Sequence, residues 1–311
     1  MSTPSPNPSA PVTPSTSRVE TAHRYYQPSG RVPFTGTIMM LVLGALGAFL
    51  LAPLYAMADY YAGVDKLRVV ACLVYAALVG AWVYFCSYLG KVRSRAFAGI
   101  VGFVIGGCAV YFAWTWFLSV LSGWELRALL IDPVTLWNNL PELAKQGLWE
   151  KNGKPVGPTE LMVWWAGEAI VTLVAATALA AQQSRPFCEE CGRWTSKAAS
   201  LRMAVPTSPA LKEELEAENY AELAKLIQLP AAENIATVAT LYSCSTCDDS
   251  HYLDLLVTTK DEQNNAGGYA ILKQLSIPPE VAGWIKDPSV LFRPPVEASE
   301  GDESAALDPP P

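Results

Sequence analysis

Charge and histidine are both scarce in this sequence of 311 residues. Charged residues make up 16% of the chain, whereas a soluble domain contains about 25%. The two histidines, His23 and His251, are too few for a His-dependent triad or a His-rich metal catalyst in the apolar part of the chain. The phosphate-binding patterns G-x-x-x-x-G-K-S/T and G-x-G-x-x-G are absent as well. These absences predict that the protein is not an enzyme.

Four long apolar runs account for the shortage of charged residues. Three of them, Ile38–Met57, Val69–Leu89 and Phe97–Leu121, contain no charged residue over 20, 21 and 25 residues. The fourth, Leu161–Ala181, contains only Glu168 in 21 residues. As a helix that rises about 1.5 Å per residue, each run can cross a hydrocarbon layer about 30 Å thick. The sequence therefore predicts a multi-pass membrane protein and excludes a soluble enzyme, a secreted disulfide scaffold and a fibrous protein.

The remaining sequence divides into two tails, a loop and a polar domain. Residues 1–37 are rich in proline and serine, and residues 297–311 are acidic and end in proline, so we predict that both tails are disordered. Residues 38–181 form the predicted membrane domain, with an outer loop over residues 122–160. Residues 182–296 are predicted to form a small α+β domain. The predicted fold is a bundle of four transmembrane helices followed by this small domain.

Lys and Arg are distributed unequally between the two sides of the predicted bundle. Ten lie near the span ends on the side of the chain termini, and six lie on the other side. Because the excess of Lys and Arg is usually cytoplasmic, both termini are predicted to be cytoplasmic. Residues 182–311 hold 10 Lys/Arg and 20 Asp/Glu. This acidic balance makes nucleic acid an unsuitable partner for the polar domain.

The outer loop contains two predicted elements. Pro133–Lys145 has apolar residues at roughly helical spacing, which predicts a short helix lying on the membrane surface. Asn152-Gly153 lies between two short runs and is typical of a type I′ turn. A small hairpin is therefore expected just before the fourth span.

Four of the seven cysteines form two pairs in the polar domain, Cys188-x-x-Cys191 and Cys244-x-x-Cys247. Each pair places two thiolates on one tight turn, and two such knuckles supply the four ligands of a tetrahedral Zn²⁺ site. With no open coordination position, this zinc ion is predicted to be structural. A redox dithiol and disulfides are the competing interpretations. His251 is a further candidate that would replace one cysteine ligand.

The gap of 52 residues between the two pairs exceeds the usual zinc-ribbon spacing of about 15–20 residues. We attribute the excess to an inserted helix, which begins at Ser208-Pro209 as N-cap and first-turn proline and ends near Gln228. Two runs typical of strands, Thr237–Ser243 and His251–Lys260, flank the second pair. The domain is thus predicted to be zinc-ribbon-like.

Glu168 is the candidate polar site within the predicted membrane domain. A carboxylate at that depth costs a few kcal/mol and should face the bundle interior or a wet cavity. Thr172 follows one turn later on the same helical face. Glu168 is predicted to be protonated, satisfied by hydroxyl or indole donors, or reached by a Lys or Arg of the outer loop. A proton or cation relay, a lipid-headgroup contact and a simple helix–helix hydrogen bond remain as interpretations.

The third run carries Ala98, Gly102 and Gly106 at intervals of four residues. Small residues at this spacing let two helices approach closely. The pattern predicts a packing surface rather than a pore lining. It predicts a compact bundle, with a homo-oligomer formed through the third span as a further hypothesis.

Two short motifs resemble those of a loose group of uncharacterised bacterial multi-pass membrane proteins. They are Tyr26-x-Pro28-Ser29-Gly30-Arg31-Val32-Pro33 before the first run and Phe187-Cys188-x-x-Cys191-x-x-Trp194 after the last. The resemblance covers these motifs and the layout of the spans. It implies a bacterial inner-membrane protein with a cytoplasmic zinc-ribbon-like tail, and it implies no activity.

Two hypotheses about function remain from different classes. In the first, the chain is anchored in the lipid bilayer and its zinc-ribbon-like domain is an adaptor for a cytoplasmic protein, with the acidic inserted helix as an exposed surface. In the second, the chain is a small transporter or channel that uses Glu168 and the glycine-rich runs. A membrane-embedded lipid-modifying enzyme is a weaker third hypothesis, because no acid–base pair supports it.

Overall fold

The computed structural model of the chain contains two compact units. One, the helical unit, comprises residues 28–184, and the other, the sheet unit, comprises residues 185–311 together with residues 1–27. The residues that the structure describes are 24–62, 65–122, 126, 130, 132–146, 150–151, 154–182, 185–207, 210–247, 249–260 and 266–292.

Four helices of the helical unit are long and apolar enough to cross a membrane. Their outward faces are apolar too, since Leu50, Val74, Ile100 and Val174 are each more than half exposed. A helix that is apolar on all sides is typical of a membrane span or of the core of a large protein. The helices of this unit are Phe34–Tyr61 (α1), Asp65–Leu89 (α2), Arg95–Ser122 (α3), the shorter Pro133–Lys145 (α4), and Pro158–Ala181 (α5).

The long helices extend beyond the apolar runs that predicted them. The C-terminal end of α1 and the N-terminal end of α2 each extend about one turn beyond the corresponding run. The first charge-free run ends before Asp59, and the second begins after Arg68. The helices include both of these charged residues. The two side chains are mostly buried and form an ion pair, so their charges do not end the helices.

Glycine allows the long helices to approach closely. A Cβ atom at Gly36 of α1 would lie 1.9 Å from the carbonyl oxygen of Gly90, just beyond α2. A Cβ atom at Gly47 would overlap the Trp82 indole, which donates a hydrogen bond to the Leu43 carbonyl at 2.9 Å. α1 packs against α2 and α3, and α5 packs against α2 and α3. The bundle is thus a ring in the order α1, α2, α5, α3.

The helix and the hairpin predicted between the third and fourth runs are both present. α4 has the predicted bounds, and the Asp132 carboxylate caps it by accepting hydrogen bonds from the Val134 and Thr135 amides. A hairpin of two short strands, Glu150–Lys151 (β1) and Lys154–Pro155 (β2), is also present. The Asn152-Gly153 turn itself lies outside the described residues.

The sheet unit contains an antiparallel sheet with strand order β5-β6-β7-β8 and helices that pack on it. Its core consists of aliphatic residues from both layers, such as Leu215, Leu226, Leu241 and Leu253. The two predicted strands around the second cysteine pair are confirmed. The strands are Phe187–Cys188 (β3), Arg193–Trp194 (β4), Ser196–Met203 (β5), Ile235–Ser243 (β6), His251–Lys260 (β7) and Ala266–Ser276 (β8). The helices are Leu211–Glu216 (α6), Ala221–Gln228 (α7) and Pro279–Lys286 (α8), followed by the 3₁₀ helix Pro288–Phe292.

The single inserted helix predicted from Ser208 to Gln228 was wrong. The structure divides this segment into α6 and α7. Glu218, between them, has a φ of 62°, in the left-handed region that a continuous α-helix excludes. The break lets Leu215 and Leu223, one from each helix, both bury fully in the core. The predicted start at Ser208-Pro209 lies outside the described residues.

The predicted disordered tail over residues 1–37 was wrong in its last third. α1 already begins at Phe34, and residues 24–27 extend the edge of the sheet beside β8. Tyr25 forms an antiparallel bridge with Leu275, and the Tyr26 amide donates to the Gln274 carbonyl at 2.9 Å. Residues 1–23 and the predicted tail 297–311 lie outside the described residues.

Side chains explain why this segment is ordered. The Arg24 guanidinium forms an ion pair with Glu218 and donates to the Glu216 carbonyl. The Tyr25 hydroxyl donates to the Glu216 carboxylate at 2.6 Å, and burial together with this hydrogen bond raises the pKa of Tyr25. Tyr26 packs edge-on against Tyr252 with ring centroids 5.5 Å apart. Proline and serine dominate the start of the tail, whereas this segment carries two aromatic anchors.

Candidate metal centre and polar cluster

The first cysteine knuckle lies in the tight hairpin formed by β3 and β4. Gly192 occupies the left-handed region with a φ of 62°, a conformation that glycine adopts at little cost. Phe187 and Trp194, opposite each other in the register, pack edge-on with ring centroids 5.0 Å apart. This aromatic pair supports the turn that carries Cys188 and Cys191.

The second knuckle connects two long central strands of the sheet. β6 ends at Ser243 and β7 begins at His251, directly opposite in the register. The Cys244 amide donates to the Ser250 carbonyl at 3.2 Å, which closes the loop. Cys244 and Cys247 are thereby held on a rigid part of the sheet.

The four predicted ligands are brought together although 52 residues separate the pairs. The sulfur atoms of Cys188, Cys191, Cys244 and Cys247 all lie within 4.8 Å of one another, an arrangement that can hold a metal ion. The Cys188 and Cys247 sulfurs are 3.6 Å apart. A tetrahedral site with Zn–S bonds of about 2.3 Å has an S–S separation of about 3.8 Å, so this spacing fits the group. All four are free thiols, which does not support the disulfide interpretation.

The electrostatics of the cluster also favour a cation. Burial opposes ionisation of Cys244, but hydrogen bonds from the Thr246 and Cys247 amides outweigh it and lower the pKa of this thiol to about 7. Hydrogen bonding with the Cys247 thiol raises the pKa of Cys191 to about 12. Crowded thiolates repel one another, so they do not all ionise together without a positive charge. A bound divalent cation removes this repulsion.

His251 lies near the knuckle but is not part of the group of four. Its imidazole is buried, and its Nδ1 is 2.8 Å from the Ser243 hydroxyl at the end of the neighbouring strand. The Ser250 hydroxyl, by contrast, donates to the Cys188 sulfur at 3.4 Å. Among the described residues, Ser250 is therefore a supporting contact of the cluster that the sequence analysis missed.

A groove of about 380 Å³ lies beside the knuckles in the sheet unit. Three exposed carboxylates border it, those of Glu189, Glu190 and Asp249. The rest of its wall includes aromatic side chains, among them Tyr26 and Tyr252, together with Arg24 and the polar residues Gln27, Ser250 and Ser276. The same two turns that hold the thiols therefore also present an acidic surface.

Glu168, the predicted polar site, lies half-buried in the helical unit. Its carboxylate accepts a hydrogen bond from the Tyr55 hydroxyl of α1 at 3.0 Å, across the bundle from α5. Of the three predicted ways to satisfy Glu168, a hydroxyl donor is the one observed. Thr172 is buried, and its hydroxyl donates to the Glu168 backbone carbonyl at 2.9 Å and not to the carboxylate.

Two charged residues that the sequence analysis placed outside the runs complete this polar cluster. The Arg68 Nε lies 3.7 Å from the Asp59 carboxylate, and both side chains are at least 86% buried. Tyr55 and Asp59 are one turn apart on α1 and therefore lie on the same helical face. Helical spacing continued past the end of the charge-free run could have identified Asp59 from the sequence.

The cluster continues through a stacked pair of tyrosines. The rings of Tyr55 and Tyr75 lie 4.6 Å apart and nearly parallel. The Tyr75 hydroxyl donates to the Ala109 carbonyl of α3 at 2.9 Å. Side chains and one carbonyl from all four long helices therefore meet at one end of the bundle.

A second groove, of about 320 Å³, lies between α2 and α5, and we call it the α2/α5 groove. Glu168 is the one charged residue among the described residues that line it. The other lining residues are Val69, Cys72, Leu73, Val163, Trp164, Gly167 and Val171.

The predicted packing surface of the third span is used within the chain. Ala98 is fully buried, and Cβ atoms at Gly102 and Gly106 would contact Ala176 of α5 at 2.6 and 3.1 Å. This face is covered by α5 of the same chain, and a homo-oligomer formed through the third span stays a prediction.

No family model, curated protein or solved structure matches this chain.

Proposed function

We propose that the protein is a membrane-anchored adaptor whose sheet unit, held together by a structural zinc ion, binds a basic segment of a cytoplasmic protein. In this proposal the four long helices span the bacterial inner membrane and both termini are cytoplasmic. The observation that carries the proposal is the acidic groove on the two turns that hold the thiols.

Charge and shape support a basic partner. Glu189, Glu190 and Asp249 surround a groove whose other wall includes tyrosine rings. Carboxylates pair with Lys and Arg, and aromatic faces attract the same cations. Residues 182–311 carry twice as many acidic as basic residues, which steers a basic segment toward this unit and repels an acidic one.

Zinc has a structural role in this proposal. Four thiolates leave no open coordination position for a reacting water, so the ion binds protein and not substrate. Cys188 and Cys191 would hold it from one knuckle, and Cys244 and Cys247 from the other. The ion would thereby fix the two walls of the acidic groove.

Affinity purification of the full-length protein from native membranes, followed by mass spectrometry, tests the adaptor function. The informative variant is Glu189→Lys/Glu190→Lys, because both side chains are exposed and their reversal leaves the thiols in place. We expect a partner that wild type recovers and this variant loses. The Cys244→Ser variant, which removes a ligand, should lose the same partner.

A matched control uses the other acidic surface of the unit. Glu213→Lys/Glu214→Lys on α6 makes the same change in charge away from the groove. We expect this variant to keep the partner. Loss with the α6 variant alone would move the binding surface to that helix, and a partner list unchanged in all variants would contradict the adaptor function.

The polar cluster favours a second candidate, a small transporter or channel. Two carboxylates and one guanidinium lie together among helices of the span type, and ionisable residues in spans usually mark ion or substrate paths. In liposomes with an internal pH-sensitive dye, Glu168→Gln should abolish a proton flux that wild type shows. Equal flux in wild type and variant would remove this candidate.

A further inference from the structure

The α2/α5 groove combines apolar walls with one carboxylate. Its walls are exposed on the outside of the helical unit, since Leu73 and Val163 are each more than half exposed. Glu168 contributes the charge from the inner side, where the Tyr55 hydroxyl holds one carboxylate oxygen. Its volume of about 320 Å³ lies within the range of about 300–1,000 Å³ for small-molecule sites.

The charges around Glu168 leave a negative excess. Arg68 lies beside Asp59, at 3.7 Å, whereas the Glu168 carboxylate accepts a hydrogen bond from a neutral group, the Tyr55 hydroxyl. The cluster, as far as the structure describes it, thus holds one guanidinium and two carboxylates. A ligand that carries one positive charge balances the cluster, whereas an anion is repelled.

The walls offer few ligands to a metal ion. Hard cations such as Ca²⁺ and Mg²⁺ require about six oxygen ligands, and Glu168 is the one carboxylate among the lining residues that the structure describes. An ammonium ion needs fewer partners, because its three N–H donors are satisfied by a carboxylate and water. An attached alkyl chain is stabilised by the apolar walls.

We propose that the α2/α5 groove binds an amphiphile with an ammonium headgroup, which places its ammonium ion at the Glu168 carboxylate and its alkyl chain along Val69 and Val171. This inference supplies the substrate class for the second candidate function and does not depend on the adaptor function. Binding and flux are measured separately, so each can fail without the other.

Gly167 offers a direct way to block the groove. A Cβ atom at this position meets no atom of the described residues within 4 Å, so Gly167→Leu begins its side chain in open space within the groove. Gly107 of α3 has equally open surroundings and lines no part of the groove. Gly107→Leu is therefore a matched control for the same substitution in a helix.

The experiment measures equilibrium binding of radiolabelled dodecylamine to the full-length protein in maltoside micelles. We expect saturable binding that Glu168→Gln weakens at least about tenfold, because a charge-assisted hydrogen bond is lost. Gly167→Leu should weaken it to a similar extent, and Gly107→Leu should bind like wild type. Gel filtration checks folding, and glutamine retains an oxygen that accepts from Tyr55.

Two competitors identify the recognised chemistry. Dodecanol has the same chain without the charge and should not compete. Phosphatidylethanolamine that competes would support a membrane lipid as the source of the ammonium group, and its failure to compete would support a free amphiphile. The proposal is overturned if dodecanol competes as well as the amine, if Glu168→Gln binds normally, or if both glycine variants lose binding equally.

Discussion

The sheet unit and the helical unit differ in what lies at their centres. Large aliphatic side chains such as Leu241 and Leu253 fill the core of the sheet unit, and its four thiols lie at the ends of strands. The helical unit is packed around alanine and glycine, and a cluster of tyrosines and charges lies inside it. The sheet unit therefore depends on a connection between distant parts of the chain, whereas the helical unit depends on close approach of backbones.

Because of this difference, the two units should tolerate different substitutions. Loss of one thiol weakens the connection between the two knuckles on which the sheet unit depends, and it leaves the packing of the helical unit unchanged. A single methyl group added between two helices cannot be accommodated, because backbone atoms already occupy the space. Four variants or treatments test this comparison, beginning with the largest expected effect.

Removal of the metal should unfold the sheet unit and spare the helical unit. Structural zinc contributes about 10–16 kcal/mol in small zinc domains, which exceeds the stability of most domains. We expect a strong chelator, applied to the full-length protein in detergent, to expose residues 185–292 to protease while the long helices stay resistant. Metal analysis before the treatment should find one zinc ion per chain. Simultaneous cleavage within both units would break the comparison.

Gly102→Leu should destabilise the helical unit and leave the sheet unit unchanged. A Cβ atom at Gly102 would lie 2.6 Å from both the Ala176 carbonyl oxygen and the Ala180 Cβ atom of α5. Overpacking of this kind costs about 1–3 kcal/mol, occasionally more. Thermal unfolding followed by gel filtration should show a lower midpoint for this variant than for Gly107→Leu, where a Cβ atom meets no atom of the described residues within 4 Å. Unchanged zinc content would show that the sheet unit is intact.

Tyr55→Phe sharpens the comparison within the helical unit. The variant removes the hydroxyl that donates to Glu168 and keeps the ring that stacks on Tyr75. Hydrogen bonds to charged groups contribute about 1.5–3 kcal/mol, so we expect a loss within that range in thermal unfolding. Tyr61→Phe is the control, because Tyr61 is 73% exposed. Equal midpoints for the two variants would mean that the cluster does not stabilise the bundle.

Periodicity and spacing in the sequence predicted much of this architecture. The four apolar runs predicted the four long helices, because only burial or lipid tolerates so many apolar residues on every side of a helix. The paired spacing of Cys188, Cys191, Cys244 and Cys247 predicted a cluster that the strands then assemble. Local patterns of this kind survive in the fold because they depend on neighbours in the chain.

Contacts between distant residues were not predictable in the same way. Nothing near Tyr25 in the sequence shows that it pairs with Leu275. The ion pair between Asp59 and Arg68 was missed because each residue lies just outside a charge-free run, where charge is expected to mark the end of a span. The break at Glu218 was missed because the apolar spacing on both sides of it remains helical.

The smallest expected effect concerns a charge inside the sheet unit. Asp254 lies in an irregular part of the β7–β8 ladder, where its carboxylate accepts a hydrogen bond from the Gln274 amide at 2.6 Å. Burial raises the pKa of Asp254, and the Gln274 amide and Lys273 only partly oppose this shift. Because the folded state holds the proton more tightly than the unfolded chain, protonation favours folding. The Asp254 contribution to the free energy of unfolding therefore rises as the pH falls through the raised pKa toward the pKa of the unfolded chain.

Asp254→Asn removes this titration and keeps an oxygen that accepts from the Gln274 amide. We expect the variant to be slightly more stable than wild type at pH 7.5, by less than about 1 kcal/mol, since the shift is modest and the site is partly solvated. The advantage should shrink as the pH falls, because wild type then also holds a neutral side chain at this position. Urea unfolding of the full-length protein, compared between the two proteins at each pH, cancels any common effect of metal loss. If the variant is instead less stable than wild type, and increasingly so at high pH, the fold favours the ionised carboxylate. The sheet unit would then resemble the helical unit in stabilising an internal charge.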